Sequence, residues 1–208
     1  MLPIDWSAIV GIRFGGRVPP SEPVSGPEAL DILGIDDPDA IEGTKSPSLR
    51  LRYLRDLLMR ERDEPPTELR YRQWTAYFIF SYFLGNDKST VPTPIVGMFR
   101  DVNTLREYGW GALTHGFFIR GLRRFSHRET ISFLGFWQFI LFWAFEHFPS
   151  FAPSRLLSAP DPAFPLVRRW DAAQIQRLTS CTLLECRTTV DCIRNVDIIF
   201  QPYSTALI

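Results

Sequence analysis

From residue 46 onward, apolar positions recur at helical spacing, whereas the first 45 residues show no such period. Leu49, Tyr53, Leu54, Leu57 and Leu58 form a stripe, with Arg50, Arg52, Arg55 and Arg60 mostly on the other faces. That is the pattern of a helix with one buried side. Ser46-Pro47 supplies a cap and a first-turn proline, and Glu64-Pro65-Pro66 supplies a stop. Thr67 then caps a second helix. In it Leu69, Trp74, Tyr77, Phe78, Phe80, Tyr82 and Phe83 leave few polar faces, which predicts a central helix ended by Gly85-Asn86. A polar loop over 86–94 leads to a short helix over 95–102 and a turn over 103–107. A third long helix is expected over 110–124. Ser126, with Glu129 three residues on, gives a capping-box pattern and predicts an aromatic helix over 127–148. After a Pro-rich loop over 149–165, Asp171 caps a helix to about 180, and a last helix covers 183–195. The alternating tail over 197–204 predicts a short strand.

Gly and Pro break up residues 3–45, so only short helices or hairpins are expected there. Residues 27–33 read as one helical stretch and 14–18 as a tight hairpin. The fold class is therefore mainly α: a single compact helical domain with a few short β-strands. A Gly/Pro-rich segment over 1–45 is expected to pack on a helical core over 46–208. The run over 131–148 is just long enough to be weighed as a membrane span. Gln138, Glu146 and His147 interrupt it, and no Lys or Arg clamps its C-terminal end. It reads as a buried helix.

Composition narrows the chemistry. A chain of 208 residues with zero formal net charge has no global pull toward nucleic acid or an anionic membrane. The charge is uneven, however: residues 1–45 carry −5 and residues 46–128 carry +6. All but two of the 23 basic residues are Arg, the exceptions being Lys45 and Lys88. Cys181, Cys186 and Cys192 make no CxxC pair and have no neighbouring His for zinc, so they read as buried free thiols in a reducing compartment. Gly109-x-Gly111 lacks the third glycine and the preceding strand of a dinucleotide loop. His115, His127 and His147 fall in no HExxH, and no GxSxG is present. No catalytic residue, metal site or cofactor is expected. Glu146, in an apolar helix, calls for an Arg partner. Arg120, Arg123 and Arg124 share a helix face, with Arg128 close behind and Arg168 and Arg169 after the long loop. They form a candidate docking surface for phosphate or acidic groups; a solvated face, or pairing with the acidic N-terminal segment, is the plainer alternative.

Several segments resemble, in order, the plant mobile domain family. Residues 33–55 look like the stretch before its first core helix, and 71–89 like its aromatic helix ending in Leu-Gly. In 99–122, Arg100-Asp101, Tyr108, Trp110-Gly111, Ala112 and Arg120 fall on the family's RD…Y-x-WG-x-A…YR pattern. Phe117-Phe118 replaces the usual Leu-Tyr before that arginine, and the family's usual aromatic opening is missing. Residues 137–149, with Trp137, Trp143 and Glu146, resemble its WAxExxP segment. Arg169-Trp170 and Gln201-Pro202-Tyr203 match later landmarks. The resemblance implies a nuclear, non-enzymatic domain that acts through protein association in transposon silencing, gene-expression regulation and genome stability. The implied partners are a phosphatase 7-like protein or another plant mobile domain protein, with no membrane. Direct binding to DNA or chromatin through the Arg120–Arg128 face is the alternative. An aminotransferase-like label also attached to the family gains nothing here, because a Schiff-base lysine is needed and only Lys45 and Lys88 exist.

Overall fold

The computed structural model describes residues 1–19, 22–84, 90–133, 135–156, 164–178 and 183–203. Its contacts define two compact units. One comprises residues 1–14 together with 137–208, and the other residues 15–136. The described residues are mainly helical, with one small antiparallel sheet.

In the 15–136 unit, helix α2 (Gly26–Leu33) follows helix α1 (Pro3–Val10), which belongs to the other unit. The Ser25 hydroxyl accepts the Glu28 N–H to start α2, with a proline in its first turn as expected. Gly34 stops it at φ +60°, where a Cβ would also stand 2.7 Å from Leu69. Strand β1 (Ile41–Glu42) then pairs with β2 (Ser48–Arg50), and β2 pairs with β3 (Thr90–Pro92). Helix α3 (Leu51–Arg60) therefore begins after the strand and not at Ser46. The local Ser-Pro start signal loses because Leu49 pairs with Ile41 on one side and Val91 on the other, and both Leu49 and Val91 are fully buried. The α3 stripe itself is as expected. Leu54, Leu57 and Leu58 are buried, while Arg52, Arg55 and Arg60 are exposed.

Helix α4 (Glu68–Tyr82) is capped by Thr67, whose hydroxyl accepts the Arg70 N–H at 3.1 Å. It is not buried on most sides. Its inward face is Arg70, Gln73, Ala76 and Phe80, whereas Tyr71, Trp74, Phe78 and Tyr82 are exposed. The cause is polar. The last carbonyls of α2 have no partner within that helix. Gln73 Nε2 donates to the Leu33 carbonyl at 2.8 Å, and Arg72 donates to that of Ile32 at 3.1 Å. Those two bonds set the rotation of α4, so its aromatic stripe turns outward. Phe80 alone of the aromatics is fully buried, edge-on to Phe99 at 5.0 Å.

Helix α5 (Thr93–Val96) runs into the 3-10 turns Gly97–Arg100 and Val102–Glu107. Helix α6 (Trp110–Ser126) follows, close to its expected span. No hairpin forms at 14–18. Instead the Arg17 N–H reaches the Glu107 carbonyl at 2.6 Å, and the Gly109 N–H reaches the Arg17 carbonyl at 2.9 Å. Ser126 and Glu129 do not open a helix either. The Glu129 N–H bonds back to the Arg124 carbonyl at 2.9 Å, Arg128 takes φ +60°, and the Ser126 hydroxyl donates to the Arg123 carbonyl. The pattern read as a start closes α6.

The other unit pairs α1 with α7 (Gln138–His147), a helix of 10 residues that begins eleven positions later than expected. Trp6 stacks on Phe139 with ring centroids 3.7 Å apart, and both rings are fully buried. The 3-10 turns Pro149–Phe151 and Leu166–Arg169, helices α8 (Ala172–Leu178) and α9 (Leu183–Asp191), and the turn Asn195–Asp197 complete it. Asp171 does cap α8, accepting the Ala173 N–H. The tail forms no strand among the described residues; the Ile199 N–H bonds to the His147 carbonyl. Cys192 is exposed rather than buried. Cys181, Lys88, Gly85-Asn86, part of the 149–165 loop and the expected end of the helix at 180 lie outside the described residues. No helix among the described residues is long and apolar enough to cross a membrane.

The two faces of α4 differ in what they hold together. Phe80→Ala is expected to lower unfolding stability by about 3–5 kcal/mol, the range for a buried phenylalanine. Phe78→Ala should lower it by about 1 kcal/mol or less, because half of that side chain already faces water. Denaturant titration of the two variants measures the difference.

Candidate functional site

The ionisable groups that the structure brings together lie around the end of α7. Glu146 is 2% exposed, at the last turn of a helix made mostly of aromatic and aliphatic residues. Its Oε2 accepts a bond from Arg169 and its Oε1 accepts the Trp170 indole N–H at 3.2 Å. Both donors come from the end of the 166–169 turn. Burial pushes the Glu146 carboxyl above its ordinary value; the charge of Arg169 and the Trp170 N–H pull it partway back. The Arg partner expected for Glu146 is thus Arg169, so Arg169 is turned inward and does not join a binding surface.

The next residue, His147, gathers two further elements. Its Nδ1 lies 2.7 Å from the Ile199 carbonyl, so that nitrogen carries the hydrogen. Its Nε2 lies 3.4 Å from both Asp5 Oδ1 and the Tyr203 hydroxyl. Tyr203 donates to Asp5 Oδ1 at 2.7 Å. Burial first, then the bond to Asp5 and its charge, push the Tyr203 phenol upward, so it stays a donor. Asp5 also accepts the Leu2 N–H at the start of α1. Each of these groups closes a bond between elements.

The remaining family landmarks are mostly fold determinants of the 15–136 unit. Arg100 pairs with Glu28. Asp101 accepts the Asn103 N–H at 2.8 Å and starts the turn that leads to α6. The Trp110 indole donates to the Leu105 carbonyl at 2.7 Å, beside Phe99 and Tyr108. Arg17 stands over the Tyr108 ring. Gly111 is buried on α6. Arg120 and Arg123 are exposed one turn apart, and the Arg120 guanidinium lies 5.7 Å from the Phe117 ring centre. Arg124 stands 3.6 Å from Glu129, and Arg128 is exposed. Arg168, in the other unit, is exposed. Trp137 is half-exposed just before α7, Trp143 is partly buried on α7, and Pro202 precedes Tyr203 in the tail. Sequence reasoning missed Asp5 and the role of His147. Their partners stand 198 and 52 residues away, and no local pattern announces either bond.

Two outcomes follow for the buried pair. Arg169→Met should lower stability by about 3–5 kcal/mol, because it leaves a carboxylate without its counter-charge. Adding Glu146→Gln should recover most of that loss, as read by denaturant titration of the single and double variants. The second outcome concerns pH. A carboxyl held above its unfolded value of 4.5 binds its proton more firmly when folded. Its contribution is fully present below that value and is lost as pH rises through the raised native value. Glu146→Gln should remove this fall from the stability profile above pH 4.5, which melting curves in steps from acid to neutral pH will reveal.

No curated protein and no solved structure gives a significant match to the chain. The family model described as plant mobile domain matches residues 41–208, a span that includes Glu146, His147, Arg169, Trp170 and Tyr203 but not Asp5. The chain belongs to the plant mobile domain family.

Proposed function

We propose that this plant mobile domain chain works by binding protein rather than by catalysis, as a nuclear domain in transposon silencing, gene-expression regulation and genome stability. A phosphatase 7-like protein, or another plant mobile domain protein, is its partner. The observation that carries the binding reading is the outward face of α4, where Trp74, Phe78 and Tyr82 are each about half exposed at helical spacing. Aromatic side chains presented on a rigid element are the usual energetic centres of protein interfaces. The buried carboxylates support the same reading, since Asp5 and Glu146 are occupied by bonds between elements.

Capture from plant nuclei followed by mass spectrometry tests it. The wild-type chain should retain a phosphatase-like or a plant mobile domain protein, and Trp74→Ser with Phe78→Ser should reduce capture about tenfold or more at unchanged fold. Equal capture by the double variant would remove the α4 face, and capture of no such protein would remove the partner.

A second reading, direct binding to DNA or chromatin, draws on Arg120 and Arg123, exposed one turn apart on α6. It requires salt-sensitive binding whose dependence on log salt weakens by about one unit for each lost phosphate contact. Arg120→Ala and Arg123→Ala should each show that change in a titration of duplex DNA at several salt concentrations. An unaltered slope would dismiss the face.

A further inference from the structure

Helix α6 ends in a run of exposed charge. Residues 120–129 hold four arginines against the single acid Glu129, and Ser126 lies among them. Arg123 and Arg124 stand three and two positions before Ser126, an arrangement that no other Ser or Thr in the chain has. Ser126 is exposed, and its hydroxyl donates to the Arg123 carbonyl at 2.8 Å, a bond within its own turn.

Two features bear on what that hydroxyl can do. The first is how little holds the turn closed. An Arg-directed protein kinase takes its substrate as an extended segment, with carboxylates gripping the arginines before the acceptor hydroxyl. A helix end meets that demand only where it opens cheaply. Gly121 is the last buried residue of α6, and none from 122 to 130 is buried. The N–H groups of His127, Arg128 and Glu129 bond to the carbonyls of Arg123, Phe125 and Arg124 at 2.9, 3.0 and 2.9 Å. These bonds lie at the surface, so water replaces them when the turn opens and no buried side chain is uncovered. The second feature is where a phosphoryl group would rest. Arg123 shares the helix face of Ser126 one turn back, and Arg128 follows two residues on at φ +60°. Neither forms an ion pair among the described residues, whereas Arg124 has Glu129 at 3.6 Å.

We propose that Ser126 is a phosphorylation site for an Arg-directed serine kinase, and that Arg123 and Arg128 hold the phosphate once it has formed. The Ser126 oxygen attacks the terminal phosphorus of ATP. A new O–P bond forms, the bond from that phosphorus to the bridging oxygen breaks, ADP leaves, and the hydroxyl proton passes to a carboxylate of the kinase. The ester has no hydrogen left for the Arg123 carbonyl, so the group turns to the guanidiniums. Its charge offsets about half of that on the four arginines, and the Arg120–Arg128 face then attracts a second anion less. The site stands apart from the α4 face, so it does not depend on which partner the domain binds.

The test uses the full chain, Mg-ATP labelled at the terminal phosphate, and the catalytic subunit of cyclic-AMP-dependent protein kinase as the probe enzyme. The expected product carries a single phosphoryl group, assigned to Ser126 by peptide mass spectrometry and missing from Ser126→Ala. Arg123→Ala should lower kcat/KM about tenfold or more, because a charge-assisted contact to the kinase is lost. The phosphorus NMR signal of the product should titrate below the ordinary phosphoserine midpoint of about 6, since guanidiniums favour the dianion, and Arg128→Ala should return it toward that value. Each of these changes alters an exposed side chain, so the variants keep the fold. No incorporation, a label elsewhere with Ser126 unmodified, or equal kcat/KM in Arg123→Ala overturns the site. A midpoint at the ordinary value overturns the capture of the phosphate by arginine.

Discussion

A carboxylate in the interior is tolerated only when its charge is answered, and Glu146 imposes that condition on the unit formed by residues 1–14 and 137–208. Arg169 answers the charge and Trp170 takes the second oxygen, so the 166–169 turn is tied to the end of α7. His147, one position on, faces another way and binds Asp5, Tyr203 and the Ile199 carbonyl. Two neighbouring residues therefore bring α1, α7, the 166–169 turn and the tail together. The Trp6–Phe139 stack adds the apolar contact between α1 and α7, but stacking alone does not select one register. The directional polar bonds do.

The same logic acts in the 15–136 unit with neutral groups. The carbonyls at the end of α2 need donors, and α4 supplies them from Arg72 and Gln73. That requirement outranks the hydrophobicity of the opposite side of α4. Tyr71, Trp74, Phe78 and Tyr82 are left in water because burying them would turn Gln73 away from Leu33. The exposed aromatic face is thus a by-product of polar satisfaction, and it gives the domain a surface that favours association.

Local rules read well where the deciding partner is local. Thr67 caps α4, Asp171 caps α8, residues 27–33 lie in α2, and α6 follows its apolar period. They fail where a distant group competes. Ser46-Pro47 resembles a helix start, yet residues 48–50 are claimed by β1 and β3. Ser126 and Glu129 fit a capping box by spacing, but the same residues close the preceding helix through the Arg124 carbonyl. The count of aromatics in α4 reveals nothing of its rotation, which Ile32 and Leu33 determine. At the candidate site, the need of Glu146 for an arginine follows from its apolar surroundings, whereas Asp5 shows no sign of Tyr203. The family landmarks pick out Trp170 and Tyr203 without stating which bonds they make.

The bond between Asp5 and Tyr203 joins residues near opposite ends of the described chain, while the 15–136 unit lies between them in sequence. On the ribosome the order of emergence then differs from the order of assembly. The middle unit has all its residues in hand long before the tail appears, and it can close while synthesis continues. Helix α1 is made before the middle unit and completes its bonds after it: its buried carboxylate waits for a phenol that emerges only once residues 15–136 have been synthesised.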